Sequence, residues 1–414
     1  MKTEALVSER VENQTNGSRT AAASTGALVM GGDYRGLALV RSLGRRGVPV
    51  WVIKQDDQRL AAASRYARRA LYYPTWTDAN GIDFLIDVAQ RYSLQHWLLF
   101  PTSDESVRLV ASHHKQLSEF FRLTIPPWEE LQWAVDKRLM QQLADKLQID
   151  HPKSFYPHCR EDLLKIEVAF PALLKPTTRD QFNRLTAAKV WRVDDMETLL
   201  ARYEDAREFL PPESLMIQEL IPGGGESQFS YAAVCKDGRP LASLIARRTR
   251  QYPMDFGRAS TFVETIAETG VVEPAERFLA AIRYTGIVEV EFKKDPQTNQ
   301  FKLLDINPRV WGWYSLCERA GVNFGYLLWL LYQGEALPEV HARLGVRWIR
   351  LTTDLLTTFR EIRAGRMLIG EYLRSLRGPK VSAIFAADDP APGLFEIPLL
   401  FLLLGKRLLR GKGF

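Results

Sequence analysis

The chain has 414 residues, 46% of them hydrophobic, so it can bury more than one core and is neither a peptide, a fibre nor a disordered chain. Lys and Arg number 55 against 49 Asp and Glu, and this excess is spread thinly except at the two ends, which is weak evidence for nucleic-acid binding. Three separated cysteines, Cys159, Cys235 and Cys317, disfavour a disulfide framework and a zinc site and indicate a reducing cytoplasm.

The two ends of the chain carry different signals. Residues 1–25 mix charged and small polar residues without the apolar core of a secretion signal, so we predict a disordered leader. Near the other end, Ile397 to Leu404 is an apolar run of eight residues, less than half of the ~20 that a membrane-spanning helix needs. Basic residues follow this run. Two interpretations of 397–414 stay open: peripheral contact with an anionic membrane surface, and docking against a partner subunit, for example in a homodimer.

A βαβ unit begins at Gly26. An apolar run, a glycine turn, an amphipathic stretch and a second apolar run follow one another. Gly31, Gly32 and Gly36 form GGxxxG rather than GxGxxG, so a dinucleotide site, and with it a Rossmann-type oxidoreductase, is weakly signalled. The alternative is that the glycines let the strand turn tightly into the helix.

A third strand lies within HWLLFPTSDE, His96 to Glu105. Ser103, Asp104 and Glu105 follow it where parallel sheets place ligands, and the same residues are able to cap a helix that begins near Ser106. The prolines of Ile125–Pro127 then mark a domain boundary.

The next region mixes helices and strands. We predict a helix over Asp136–Leu147, a strand over Phe170–Pro176 and a helix opened by Asp194 or Asp195. Alternating strands on either side of KDGRP predict a β-hairpin.

A second hairpin, Gly286 to Arg309 (GIVEVEFKKDPQTNQFKLLDINPR), carries acidic residues on one face. Because side chains alternate along a strand, Glu289 and Glu291 share a face, and Leu303, Asp305 and Asn307 share a face of the returning strand. Pairing about the turn places Asp305 opposite Glu291 and Asn307 opposite Glu289.

Opposed carboxylates require a cation or a proton. Mg²⁺ accepts such oxygen ligands, with Asn307 adding an amide oxygen. Arg309 is suited to hold a phosphate or a carboxylate through two parallel hydrogen bonds. The alternative is a solvated hairpin with salt bridges to its own lysines.

The order of several motifs resembles the ATP-grasp superfamily of ATP-dependent carboxylate-amine ligases: VDKRLM, FPALLKP, IQELIPGGGE, RRTRQYP, EVEF and DINPR. The resemblance implies an α/β and α+β protein. A Rossmann-like domain at 26–125 would precede a two-lobed ATP-grasp domain at 126–340, whose mobile lobe spans about 149–215. A helical extension at 341–414 would contain the DPxP-like Asp389–Pro392.

The resemblance also implies site residues. Lys137 and Lys175 would contact nucleotide phosphates, Gln218 to Ile221, with Glu219, would read the adenine edge, and Glu226 would take the ribose hydroxyls. Arg247 and Arg248, with Arg250 close by, would lie near the transferred phosphate or the acid substrate. Glu291, Asp305 and Asn307 match the Mg²⁺ ligands, with Mn²⁺ as a substitute, and Arg309 matches the substrate-side arginine.

Two departures from the family pattern stand out. Residues 177–188 contain no glycine where many members fold a glycine-rich loop over the phosphates. Asp305 stands where most members have Glu, and its side chain is one methylene shorter.

The implied activity is ligation of a small carboxylic acid to an amine, with an amino acid as the expected amine and without nucleic acid as a partner. ATP would convert the acid to an acylphosphate, a reaction that needs alignment and charge neutralisation rather than a side-chain nucleophile. A nucleotide-binding module that has lost catalysis is the second hypothesis, motivated by the glycine-free loop. Trp311, Trp313 and Tyr314 are interpreted either as core or as substrate pocket.

Overall fold

A computed structural model describes residues 25–55, 58–76, 80–177, 190–252, 254 and 259–396. Within these ranges the chain forms three sheets of five, four and seven strands. The predicted leader, most of the glycine-free loop and the apolar and basic tail lie outside the described residues. The helices run over Tyr34–Gly44 (α1), Asn80–Arg91 (α2), Asp104–Ser112 (α3), His114–Leu117 (α4), Trp128–Val135 (α5), Lys137–Lys146 (α6), Arg160–Leu163 (α7), Met196–Arg207 (α8), Val272–Ala281 (α9), Ser315–Arg319 (α10), Phe324–Gln333 (α11), Leu351–Arg363 (α12) and Ile369–Ser375 (α13).

The first sheet is parallel and has the order β3-β2-β1-β4-β5. Its strands are Ala27–Met30 (β1), Val50–Lys54 (β2), Ala67–Tyr72 (β3), Leu98–Pro101 (β4) and Arg122–Leu123 (β5). The central strands β1 and β4 are fully buried, as the continuous apolar runs of their sequences predict for a sheet covered on both faces. The predicted mixed α/β fold with a Rossmann-like sheet at the amino terminus is confirmed.

The glycines after β1 are explained by close backbone contacts. A Cβ atom on Gly36 would lie 2.0 Å from the carbonyl oxygen of Gly31, and one on Gly32 would lie 1.9 Å from that of Gln58. Asp33 caps α1 by accepting hydrogen bonds from the backbone N–H groups of Arg35 and Gly36. Tight packing of the strand-to-helix turn therefore accounts for GGxxxG without a ligand.

The second sheet is antiparallel where its strands pair and has the order β6-β9-β7-β8. Its strands are Ser154–Phe155 (β6), Ala172–Pro176 (β7), Trp191–Val193 (β8) and Leu215–Glu219 (β9). Helix α8 packs on this sheet and is capped by the carboxylate of Asp195, which accepts a hydrogen bond from the Thr198 N–H, as predicted.

The third sheet is the largest and has the order β14-β13-β10-β11-β12-β15-β16. Its strands are Gln228–Lys236 (β10), Arg239–Tyr252 (β11), Ala259–Thr265 (β12), Gly286–Lys294 (β13), Phe301–Asn307 (β14), Arg347–Ile349 (β15) and Lys380–Ser382 (β16). The predicted hairpin around KDGRP is β10–β11, and its turn residues Asp237 and Gly238 both have positive φ.

The carboxylate hairpin is β13–β14, and its predicted register is confirmed at the acidic end. Asp305 pairs with Glu291, and Asn307 pairs with Glu289. The prediction that Leu303 shares the face of Asp305 is wrong. A β-bulge shifts the register so that Leu303 pairs with Phe292, and both side chains are buried in the same core. An extra residue at a bulge reverses the inside-outside alternation beyond it.

A buried ion pair between Arg41 and Asp389 joins α1 to the DPxP-like segment. The Asp389 carboxylate accepts hydrogen bonds from Arg41 Nε at 2.9 Å, Ser64 Oγ at 2.7 Å and the Arg65 N–H at 2.9 Å. Arg41 also donates to the main-chain oxygens of Ile384 and Asp389. The aspartate of this motif therefore fastens the carboxyl-terminal segment to the first sheet.

The aromatic segment after Arg309 is core. Trp311, Trp313 and Tyr314 are each at most 2% exposed and pack between the first and third sheets. The interpretation of these side chains as core is confirmed, although the indole N–H of Trp313 also reaches the acidic face of β13. Among the described residues, no helix has the length and apolar character needed to cross a membrane.

Candidate functional site

The structure brings four predicted site residues together at one end of β13 and β14. Lys137, the first residue of α6, places its Nζ 3.0 Å from Asp305 Oδ1. Arg248 on β11 places Nη2 3.2 Å from Glu291 Oε2. Each of the two cross-strand carboxylates therefore has its own cation, which offsets the repulsion between them.

Asn307 and Glu289 extend this polar cluster into the interior. Asn307 Nδ2 donates to Glu289 Oε2 at 3.0 Å and to Glu291 Oε1 at 2.8 Å, and its Oδ1 accepts from Arg309 Nη2 at 3.2 Å. The amide nitrogen, rather than the oxygen, faces the carboxylates. The predicted ligation of a metal by Asn307 would therefore require the amide to turn over.

The sequence predicts that Glu289 lies on the acidic face of the hairpin but predicts no role for it, and in the structure its carboxylate is buried. It is 2% exposed and accepts hydrogen bonds from Ser230 Oγ at 2.9 Å and Trp313 Nε1 at 2.8 Å. Burial, with a further contribution from the negative charge of Glu291, raises the pKa of Glu289 from 4.5 to about 7. Burial and the neighbouring carboxylate therefore favour the protonated form of Glu289.

We expect this raised pKa to make the stability of the protein pH-dependent. Between about pH 4.5 and 7 the folded protein retains the Glu289 proton that the unfolded chain has lost, so the free energy of unfolding falls as the pH rises through this window. Urea midpoints measured across pH 4 to 8 without divalent cations would show this decline.

Two variants test the contribution of Glu291. Glu291→Gln removes a negative charge beside Glu289, so the decline in stability should occur at lower pH. Glu273→Gln changes an exposed carboxylate and should leave the pH of the decline unchanged. An identical decline in both variants would contradict the coupling.

A second group of predicted residues lies on the four-stranded sheet. Lys175 Nζ on β7 donates to Gln218 Oε1 on β9 at 2.6 Å, and Gln218 Nε2 donates to Ser154 Oγ at 2.9 Å. Gln141 of α6 donates to the same Ser154 oxygen at 2.8 Å. These bonds hold the Lys175 ammonium at a fixed place on the sheet.

The segment after β9 connects the second and third sheets. Glu219 on β9 forms a salt bridge with Lys302 Nζ on β14, at 3.1 Å from Oε1, and its backbone N–H donates to the Lys153 carbonyl at 2.9 Å. Ile221 is buried. The exposed Glu226 accepts a hydrogen bond from the Gly224 N–H at 3.0 Å. The residues predicted to contact adenine and ribose therefore lie at the junction of the two sheets.

Lys293 strengthens this junction. Its Nζ donates to the main-chain oxygen of Gly223 at 2.6 Å, so β13 is tied directly to the glycine turn. Burial lowers the pKa of Lys293, while the negative charge of Glu226 acts in the opposite direction. A partly desolvated ammonium therefore lies beside the predicted ribose-binding residue.

The three arginines of ARRTRQYP do not act as one cluster. Consecutive residues of a strand point to opposite faces, so Arg247 lies on the face of β11 opposite to Arg248 and to the acidic cluster. Arg250 lies beyond a register shift and forms a buried ion pair with Asp354 of α12. Of these three arginines, Arg248 contacts the acidic cluster, whereas Arg247 and Arg250 do not.

Arg309 contacts the first sheet as well as the third. Its Nε lies 2.6 Å from Oδ1 of Asp104, which is the first residue of α3 and follows the N-cap Ser103. The predicted helix start near Ser106 is thus two residues late. The Asp104–Arg309 contact joins residues 205 positions apart, and no local pattern in the sequence signals it.

The donor set of this site fits a divalent cation. Glu291 and Asp305 are opposed across two strands, and one or two protein carboxylates are what Mg²⁺ commonly takes beside substrate phosphates. In the described part of the chain, no group of three or more His, Cys, Asp and Glu side chains is arranged as a metal site.

Residues 212–352 match the family described as ATP-grasp in the biosynthetic pathway with Ter operon. This part of the chain is therefore similar to that ATP-grasp family. D-aspartate ligase of Enterococcus faecium (strain Aus0004) is 22% identical to the chain over 238 residues, and the match covers 53% of this chain and 55% of the relative. The chain thus spans about half the length of that curated relative.

Two solved structures have a similar fold. The L-amino acid ligase of Bacillus licheniformis superimposes with a TM-score of 0.58 and 14% identity, covering 76% of this chain and 75% of that one. N5-carboxyaminoimidazole ribonucleotide synthetase of Thermus thermophilus superimposes with a TM-score of 0.59 and 16% identity, covering 77% and 81%. At these identities the likeness concerns the fold alone.

Proposed function

We propose that the protein is an ATP- and Mg²⁺-dependent ligase that joins a small carboxylic acid to an amine. The observation that carries this proposal is the pair of opposed carboxylates, Glu291 and Asp305, each contacted by a cation from another element. Similarity to D-aspartate ligase and to the fold of an L-amino acid ligase supports it. An amino acid is the amine that these relatives favour.

The proposed reaction has two steps. The acid's carboxylate oxygen attacks the γ-phosphorus of ATP, the bond to the β-phosphate oxygen breaks, and ADP leaves with an acylphosphate remaining. The amine then attacks the carbonyl carbon, loses a proton and releases phosphate. Mg²⁺, or Mn²⁺ in its place, would neutralise phosphate charge when held by Glu291 and Asp305.

The chain's own residues would position the reactants. Lys175 and Lys137 would hold phosphate oxygens, and Arg248 would balance charge at the transferred phosphoryl group. Arg309, fixed by Asp104, would bind the acid. We further propose that the lobe at about 149–215 closes over ATP, because an acylphosphate must be protected from water.

ADP release over a matrix of acids and amines tests this function. The ligase proposal expects release that rises when one acid and one amine are supplied together, with an amide product visible by mass spectrometry. A protein that binds ATP with Mg²⁺ in calorimetry but turns over no pair would instead support the non-catalytic nucleotide-binding hypothesis. A protein that ignores ATP would contradict both.

Lys175→Ala tests the phosphate assignment. We expect the KM for ATP to rise about tenfold, because one charge-assisted hydrogen bond to a phosphate oxygen is lost. Lys236→Ala is the matched control, since Lys236 is an exposed residue at the far end of β10. Equal KM values for ATP in the two variants would show that Lys175 does not bind the nucleotide phosphates.

A further inference from the structure

Helix α12 buries polar side chains and exposes apolar ones, which is the reverse of an ordinary surface helix. Its buried side chains are polar, namely Asp354, Thr357, Thr358 and Glu361. Its exposed side carries large apolar residues: Leu351 and Leu355 are each 50% exposed and Phe359 is 62% exposed. Three of these buried side chains are hydrogen-bonded: Asp354 binds Arg250 and Thr261, Thr357 donates to the Thr353 carbonyl, and Glu361 pairs with Arg366, whereas the buried Thr358 hydroxyl has no hydrogen-bond partner. The outward apolar side chains have no such explanation within the described chain.

The next helix and the residue before it carry further exposed apolar side chains. The exposed apolar residues of α12 and α13, which we call the outer face, are Leu351, Leu355, Leu356, Phe359, Leu368, Ile369 and Leu373. Clusters of exposed apolar side chains on this scale mark sites of interaction with a protein or a membrane.

Positive charge accompanies the outer face. Between residues 351 and 380 the exposed charged side chains comprise six basic residues and one acidic residue, Glu371. The basic residues are Arg360, Arg363, Arg366, Arg374, Arg377 and Lys380. Apolar residues interspersed with Arg and Lys are typical of helices that lie in the interface of an anionic bilayer.

The described residues end at Glu396, which is hydrogen-bonded to α12. Thr352 Oγ1 of α12 donates to Glu396 Oε1 at 3.1 Å, and Leu394 and Phe395 just before it are exposed. The sequence then continues with the apolar run Ile397 to Leu404, followed by four basic residues up to position 412. The sequence that follows residue 396 therefore also combines apolar and basic residues.

We propose that the outer face binds the surface of a membrane that contains anionic lipids. The apolar side chains would insert at the level of the headgroups, while the arginines contact lipid phosphates. A second copy of the chain fits less well, because a two-fold interface would bring together two surfaces that each carry six basic side chains and one acidic side chain. The proposal does not depend on the ligase activity.

Cosedimentation of the full chain with vesicles tests the proposal. We expect binding to vesicles of phosphatidylcholine mixed with phosphatidylglycerol, little binding to phosphatidylcholine alone, and loss of binding at high salt. The double variant Leu355→Gln, Phe359→Gln should bind the anionic vesicles at least about tenfold more weakly, because two insertable side chains are removed.

Phe209→Gln is the matched control, since Phe209 is 56% exposed and lies at the end of α8, on the four-stranded sheet. It should bind vesicles like the parent protein, and circular dichroism should show that every variant is folded. Unchanged binding by the double variant, or equal binding to both kinds of vesicle, would overturn the proposal. So would a dimer in solution that ignores vesicles and dissociates in the double variant.

Discussion

Glu291→Gln is expected to lower ATP turnover by at least about a hundredfold while leaving the fold intact. Glutamine preserves the size of the side chain and an oxygen for the Asn307 N–H, but it removes the negative charge that faces Asp305 and Arg248. Loss of a preorganised electrostatic contact to the reacting phosphates typically costs a factor of this size. Turnover is measured as ADP release at saturating substrates.

The dependence on Mg²⁺ makes this prediction specific. If Glu291 holds the cation, the variant should need a higher Mg²⁺ concentration to reach half of its own maximal rate. Glu273→Gln is the control, because it makes the same chemical change on a side chain that is 69% exposed on α9. Parent-like turnover and Mg²⁺ dependence in Glu291→Gln would exclude the proposed metal site.

Arg250→Met is expected to destabilise the third sheet by about 3–5 kcal/mol, because it leaves Asp354 charged and uncompensated in the interior. Asp354 is 0% exposed, and Arg250 Nε and Nη2 approach its two oxygens at 2.8 Å each. Arg250 also stacks over Phe262, with its Cζ 4.1 Å from the ring centroid. Urea denaturation followed by tryptophan fluorescence measures the loss.

Two further variants identify the cause. Adding Asp354→Leu to Arg250→Met should recover much of the stability, since no buried charge is then left unpaired. Arg91→Met disrupts an exposed pair with Asp87, whose side chains are 61% and 53% exposed, and should cost no more than about 1 kcal/mol. A similar loss in Arg91→Met and Arg250→Met would show that burial of the ion pair is not what matters.

Much of the architecture follows from local sequence patterns. The apolar run of β1, the cap of α6 by Asp136 and the register of Glu291 with Asp305 were all predictable, because each depends on neighbouring residues or on a single turn. The error at Leu303 arose beyond the bulge, where one extra residue reverses the alternation without any signal in composition.

The site was less predictable than the fold because its contacts join distant elements. The ion pairs of Lys137 with Asp305 and of Arg309 with Asp104 connect residues 168 and 205 positions apart. Resemblance to a family suggested candidate site residues but gave no indication of the side chains that they contact. Arg247 illustrates this limit, since its motif matched while strand alternation turned its side chain away.

The ion pair between Arg41 and Asp389 can form only late as the chain folds during its synthesis. The two residues are 348 positions apart, so helix α1 acquires its buried ionic partner only after a further 348 residues have been synthesised. Until then the Arg41 guanidinium lacks the Asp389 carboxylate. Nascent chains arrested before Asp389 should therefore be cleaved by protease more readily than those arrested after it.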